Sequence, residues 1–165
     1  MEKILLHSCC APCSGAILEW MMANGYEPTV YYYNPNIFPE KEYLIRKNEI
    51  TEYAKKLGVP IIDGDWNHDF WREKVKGLED EPERGARCLQ CFRVRLYQTA
   101  KIASEMGFSR FTTTLARAAG SVLIRWRRPG TGPHPSSPEL NTGTATGEKA
   151  VCRIAGAPDP RESLL

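Results

Sequence analysis

From residue 3 to residue 115 the chain alternates short β-branched or aromatic runs with longer segments of helical period. That alternation restricts the architecture more than any other feature. Strands separated by helices bury their apolar faces as a parallel sheet covered by helices. Residues 3–7 read as a strand. Residues 14–23 read as a helix, with Ile17, Leu18, Met21 and Met22 on one face and Gly25 at its stop. Residues 27–33, rich in Val and Tyr, form a second strand followed by a loop over 34–39. Residues 40–57 carry Tyr43, Leu44, Ile50, Tyr53, Ala54 and Leu57 at helical spacing, closed by Gly58. A third strand is expected over 59–62, a short helix over 69–75, a charged loop over 77–87, a long helix over 88–106 closed by Gly107, and a fourth strand over 109–115. The expected class is α/β, a parallel sheet with flanking helices. In such sheets the ligand site lies beyond the carboxyl ends of the strands. The loops after the first three strands, 9–13, 34–39 and 63–68, should meet there.

The pattern stops near residue 115. The last fifty residues hold six prolines, six glycines and a single aromatic, Trp126, whereas the first 115 hold fifteen aromatics. Arginine outnumbers lysine six to one after residue 115, against seven to eight before it. The organisation expected is an incomplete α/β domain over 1–115 and a Pro/Gly/Arg-rich tail over 116–165 that is largely disordered.

A chain of 165 residues is long enough for a core, and its net charge of +2 does not by itself suggest nucleic acid. No apolar run approaches the length of a membrane span, and the run at the N-terminus is too short for a signal peptide. A cytoplasmic location is therefore expected. Clustered cysteines there indicate metal or redox chemistry more often than structural disulfides.

Five of the six cysteines fall in two groups about eighty residues apart, Cys9-Cys10-Ala11-Pro12-Cys13 and Cys88-Leu89-Gln90-Cys91. Each group stands where a loop should feed a helix, and helix N-termini favour thiolate over thiol. Taken alone, Cys10-Ala11-Pro12-Cys13 has the form of a thioredoxin-like dithiol, with Val59-Pro60 as a stand-in for that fold's cis-proline. Taken together, Cys9, Cys10, Cys88 and Cys91 supply four thiolates from two segments. Adjacent ligands make an awkward knuckle for one zinc ion and suit the wider iron–sulfur cube better. On spacing alone, cluster, zinc, dithiol chemistry and buried packing all stay open.

The other features have plainer readings beside sharper ones. His7 reads as a hydrogen-bonded histidine at the sheet edge, or as a ligand. Tyr33 and Asn34 are candidates to face a ligand. Arg84, Arg87, Arg93 and Arg95 surround the second cysteine group, either as a solvated face or as phosphate contacts. At least two of Trp66, Phe70 and Trp71 are expected in the core, the alternative being stacking on a splayed base. Cys152 reads as incidental.

An ordered set of motifs then resembles the QueH family of epoxyqueuosine reductases. It comprises Ile4-Leu5-Leu6-His7 with the first cysteine group, Tyr33-Asn34-Pro35-Asn36-Ile37, Glu42-Tyr43-x-x-Arg46, and Asp65-Trp66 with Phe70. Glu83-x-x-x-Arg87-Cys88-x-x-Cys91-Phe92-x-x-Arg95-Leu96 and Phe111-Thr112-Thr113-Thr114-Leu115 complete it. The resemblance implies a Rossmann-like fold and an oxidoreductase that reduces epoxyqueuosine to queuosine at the wobble position of tRNA. It implies a [4Fe–4S] cluster on Cys9, Cys10, Cys88 and Cys91, which delivers electrons while the epoxide oxygen is polarised. An additional iron is an option, with Cys13 as its candidate ligand. The implied partners are tRNA carrying epoxyqueuosine, for which Arg93 and Arg95 are the candidate contacts, and an unidentified electron donor; no membrane is involved. The family continues after Thr112-Thr113-Thr114-Leu115 into further sheet segments and a distal redox-active Cys-Gly-Cys. This chain has no Cys-x-Cys after residue 91, and residues 116–165 have the composition of out-of-frame coding. The catalytic residues are thus unassigned, and the chain is expected to keep the cluster ligands but to be an impaired reductase.

Overall fold

The computed structural model describes residues 1–115 throughout, and beyond them the backbone of 116–117, 123–124, 126–127, 140–141 and 151–155. Strand β1 (Glu2–His7) leads into helix α1 (Ala11–Ala23), then β2 (Tyr26–Tyr32), α2 (Glu40–Leu57), β3 (Ile61–Asp63), α3 (His68–Lys74), α4 (Ala86–Glu105), β4 (Arg110–Thr113) and a 3-10 turn (Thr114–Arg117). The first four strands lie in the order β3-β2-β1-β4, and each pairs in parallel with its neighbour. This is the α/β sheet expected from the alternation.

Short strands follow, β5 (Leu123–Ile124), β6 (Trp126–Arg127), β7 (Leu140–Asn141) and β8 (Val151–Ala155). β8 runs antiparallel beside β4, β6 runs parallel to β8, and β5 pairs with β7. The expectation of a tail without regular structure falls mostly on residues outside the described set.

Strand periodicity sends alternate residues to opposite faces, and the two faces have separate cores. Ile4 and Leu6 of β1, with Val30 and Tyr32 of β2, pack under Leu18 and Met21 of α1 and Ile50 and Ala54 of α2. Leu5, Tyr31 and Phe111 face the other way, against Leu96, Ala100 and Ala103 of α4. Tyr31, Tyr32, Leu5 and Leu6 are fully buried, and each such side chain contributes roughly 1.5–3 kcal/mol of transfer free energy.

The element boundaries differ from the sequence reading where local chemistry intervenes. α1 begins at Ala11, not at residue 14, because the extended Cys10 caps it and Pro12 occupies its first turn, where a missing N–H costs nothing. Cys13 therefore belongs to the helix. β3 begins two residues later than expected because the Val59 N–H still closes α2 on the Ala54 carbonyl at 2.9 Å. That closure follows Gly58, whose φ of +69° is the left-handed cap geometry. α4 begins at Ala86, so Cys88 and Cys91 lie within its first two turns. The cis peptide bond is at Phe38–Pro39; among the described residues none is present at Val59–Pro60.

Of the three aromatic residues after β3, only Trp66 joins a core cluster, against the expectation of at least two. Its Nε1 donates to the Ile37 carbonyl at 3.0 Å. Trp71 is half-buried and stacks on His68, and Phe70 is exposed beneath the Lys74 ammonium.

Candidate metal centre

The turn between β1 and α1 is fixed before any cysteine is considered. Asn34 is fully buried, and its Nδ2 donates to the Ser8 carbonyl at 2.9 Å. Ser8 and Ser14 join their hydroxyls at 2.6 Å, and the Ser14 Oγ donates to the Cys10 carbonyl at 2.8 Å. From the 3-10 turn just after β4, the Thr114 Oγ1 accepts the Cys9 N–H at 3.1 Å and donates to the Cys9 Sγ at 3.2 Å. The backbone on both sides of Cys9 is thereby held by buried polar groups from two other strand ends.

On this frame the sulfurs converge. Cys9 Sγ and Cys10 Sγ are 3.7 Å apart, and the sulfurs of Cys9, Cys10 and Cys13 all lie within 4.8 Å of one another. Burial raises the Cys9 thiol above its ordinary pKa, against the opposing Thr114 hydrogen bond. Hydrogen bonding with Cys10, followed by burial, pushes the Cys13 thiol up to about 12. The sequence reading expected the helix N-terminus to favour thiolate. In the metal-free cluster, crowding and burial win for Cys9 and Cys13, because neighbouring sulfurs cannot ionise together without a cation.

The second group stands at the same edge of the sheet. α4 returns to β4, which is parallel to β1, so α4 runs against the strands and its first turns lie beyond their carboxyl ends. Cys91 is buried and one turn ahead of Arg95 on the same helical face, about 6 Å further along the axis. Cys88 is half-buried and accepts the Arg84 N–H on its Sγ at 3.3 Å. Arg84 has φ +68°, a left-handed conformation uncommon for a side-chain-bearing residue. Cys88 and Cys91 are not members of the close trio, which among the described residues comprises Cys9, Cys10 and Cys13 alone. All five described cysteines are free thiols.

His7, the last residue of β1 and two before Cys9, is 0 % exposed. Its ring lies 2.9 Å from both the Tyr33 carbonyl, at Nε2, and the Thr113 Oγ1, at Nδ1. A carbonyl can only accept, so Nε2 carries the proton and Nδ1 accepts the Thr113 hydroxyl. Burial, then the nearby Arg95 charge, lower its pKa to about 3, so the ring is neutral. The hydrogen-bonded reading of His7 is the one observed. Tyr33 and Asn34 are both buried, and Asn34 acts as a brace.

The basic residues divide. Arg93 is exposed on α4. Arg95 is 5 % exposed, donates from Nη1 to the Asn34 Oδ1 at 3.3 Å, and lies over the Phe92 ring. It is placed inside the fold and not on the open surface expected of a phosphate contact. Thr114 was not singled out from the sequence, although it lies within the Phe111–Leu115 motif. Its signal was a threonine at the end of a strand flanking the one that delivers the cysteines.

The donor set fits thiolate-bound iron. Clustered thiols lie beside N–H and O–H donors to sulfur, and the buried Nε of Arg95 has no partner. No helix of the described residues is long and apolar enough to cross a membrane.

Comparison with known proteins agrees with this geometry. The family model described as "Epoxyqueuosine reductase QueH" matches residues 4–121. Proteins named epoxyqueuosine reductase QueH from Histophilus somni and Haemophilus influenzae are each 50 % identical over 126 residues, covering 76 % of this chain and 49 % of theirs. That from Acinetobacter baylyi is 46 % identical over 126 residues, covering 76 % of this chain and 55 % of its own. The chain thus spans about half the length of these curated relatives. With the family match running through β1 to β4 and both cysteine groups, the chain belongs to the QueH family of epoxyqueuosine reductases.

Proposed function

We propose that the chain carries the thiolate site of an enzyme that reduces epoxyqueuosine to queuosine at the wobble position of tRNA. The observation that supports this most is the convergence of Cys9, Cys10 and Cys13 at the carboxyl edge of the sheet, inside the segment that matches the family. Cys9, Cys10, Cys88 and Cys91 would hold a [4Fe–4S] cluster, and Cys13, in the close trio, is the candidate ligand for an additional iron. The cluster, when bound, would supply electrons. The reaction removes the epoxide oxygen as water and leaves a carbon–carbon double bond, which consumes two electrons and two protons; an unidentified donor partner must provide the electrons.

The chain's own residues prepare the site. Thr114 and Asn34 fix the Ser8-Cys9 backbone, so the thiols are positioned before a metal arrives. His7 is neutral and joins the Tyr33 carbonyl to the Thr113 hydroxyl at the strand ends. Arg93 would meet a tRNA phosphate, a reading supported by its exposure on α4. Arg95, by contrast, is buried against Asn34 and Phe92. A cytoplasmic location suits the free thiols, which persist in a reducing compartment.

A thioredoxin-like dithiol enzyme is disfavoured by the uninterrupted parallel run β3-β2-β1-β4 that carries the site. Anaerobic purification separates the readings. A brown protein with about four irons per chain supports the cluster. Stoichiometric zinc with tRNA binding supports a zinc-stabilised nucleic-acid-binding module. A colourless protein that reduces insulin disulfides supports the dithiol enzyme.

A further inference from the structure

Among the described residues, Arg95 is a buried cation without a carboxylate partner. It is 5 % exposed, and no acidic group among the described residues lies within 4.0 Å of its nitrogens. It makes a long hydrogen bond to the Asn34 Oδ1 at 3.3 Å and lies over the face of Phe92, whose centroid is 5.4 Å from Cζ. Nε is buried with no partner. A guanidinium serving only as a cross-link would use more of its five donors. An uncompensated buried charge is strongly destabilising unless something nearby neutralises it.

The surroundings indicate where the neutralising charge arises. Asn34 joins Arg95 to the Ser8 carbonyl, one residue before Cys9, at 3.3 and 2.9 Å. Cys91 precedes Arg95 by one turn on the same face of α4. His7, beside Arg95, is neutral. Through Asn34 and along α4, Arg95 is thus tied to two cysteine-bearing segments, and cysteines become negative when they bind metal.

We infer that Arg95 is the built-in counter-charge of the thiolate site, compensating the negative charge of the metal-bound cysteines and raising the reduction potential of the group they hold. The inference rests on the cluster reading above. A fixed positive charge in a low-dielectric site stabilises the more negative, reduced state of a cluster. It equally favours thiolate over thiol during loading.

The test compares the full chain with Arg95→Met, which removes the charge at similar length, and Arg95→Lys, which keeps it. Each is reconstituted anaerobically with iron and sulfide, assayed for both, and titrated with dithionite while the reduced cluster is followed by electron paramagnetic resonance. In Arg95→Met the reduced-to-oxidised ratio at a fixed poise should fall at least tenfold, about 59 mV for one electron, with Arg95→Lys close to wild type. If Arg95→Met fails to load and Arg95→Lys loads, the charge requirement appears in affinity and supports the inference. Equal potentials in wild type and Arg95→Met would overturn it and leave the cluster reading standing. Equal failure of both variants to load would also overturn it, since shape and not charge would then matter. A wild-type chain that takes up no iron would instead overturn the cluster reading beneath it. In urea unfolding of the metal-free chains, Arg95→Met should be no less stable than wild type; a large loss would make Arg95 a structural cross-link and contradict the inference.

Discussion

Thr114 holds Cys9 twice through one oxygen, accepting its N–H at 3.1 Å and donating to its Sγ at 3.2 Å. The pair joins the end of β1 to the first residue after β4, which are 105 residues apart in sequence. Thr114→Val keeps the shape and removes both contacts, leaving a Cys9 N–H without its partner at a cost of about 1–3 kcal/mol. The variant should unfold at lower urea and hold less iron than wild type, whereas Thr114→Ser should restore most of both. Wild-type behaviour in Thr114→Val would show that the clamp is dispensable.

His7 gives the fold a pH dependence of defined sign. Its folded pKa of about 3 lies below the ordinary value of 6.5, so the unfolded chain binds the extra proton between them. Stability from this group is present above pH 6.5 and is lost as pH falls towards 3. The loss approaches about 1.4 kcal/mol per pH unit at most. Urea midpoints of the metal-free chain should decline through that window, and His7→Gln should decline less steeply. Parallel profiles would assign the acid sensitivity elsewhere.

Cys13, with its thiol pushed up to about 12, should alkylate slowly in the metal-free folded protein. The thiolate is the nucleophile, so at neutral pH iodoacetamide should modify Cys13 about tenfold or more slower than in urea. The folded rate should climb with pH towards 12. Peptide mapping by mass spectrometry reads the site directly, and a folded rate matching the unfolded one would contradict the assignment.

Much of this arrangement was legible in the sequence, and the reasons differ by element. The bounds of α2 follow from its apolar period and from Gly58, whose left-handed φ only a few residues tolerate. The faces of β1 follow from period-two alternation. The start of α1 was misjudged because cysteines and a proline read as loop, although proline in a first turn is compatible with a helix. Burial of Arg95 was not legible, because an arginine within a basic helix looks the same in sequence whether it faces water or a sheet. Nor was Thr114, whose partner Cys9 lies in the turn after β1, at the other end of the domain.

Arg93 and Arg95 should part company in tRNA binding. Arg93 is exposed, so Arg93→Ala should weaken binding of an anticodon stem-loop uniformly across sequences and reduce the salt slope by about one phosphate contact. Metal content should be unchanged. Binding and slope equal to wild type would remove Arg93 from the interface.

The central claim is that two cysteine groups separated by most of the domain serve one metal centre. The direct measurement is iron and sulfide per chain, with the visible spectrum, for wild type, Cys88→Ala, Cys91→Ala and Cys152→Ala purified without oxygen. The account predicts about four irons in wild type and Cys152→Ala, and loss of the cluster in both Cys88→Ala and Cys91→Ala. A full cluster in Cys88→Ala and Cys91→Ala would contradict it and would confine the centre to Cys9, Cys10 and Cys13.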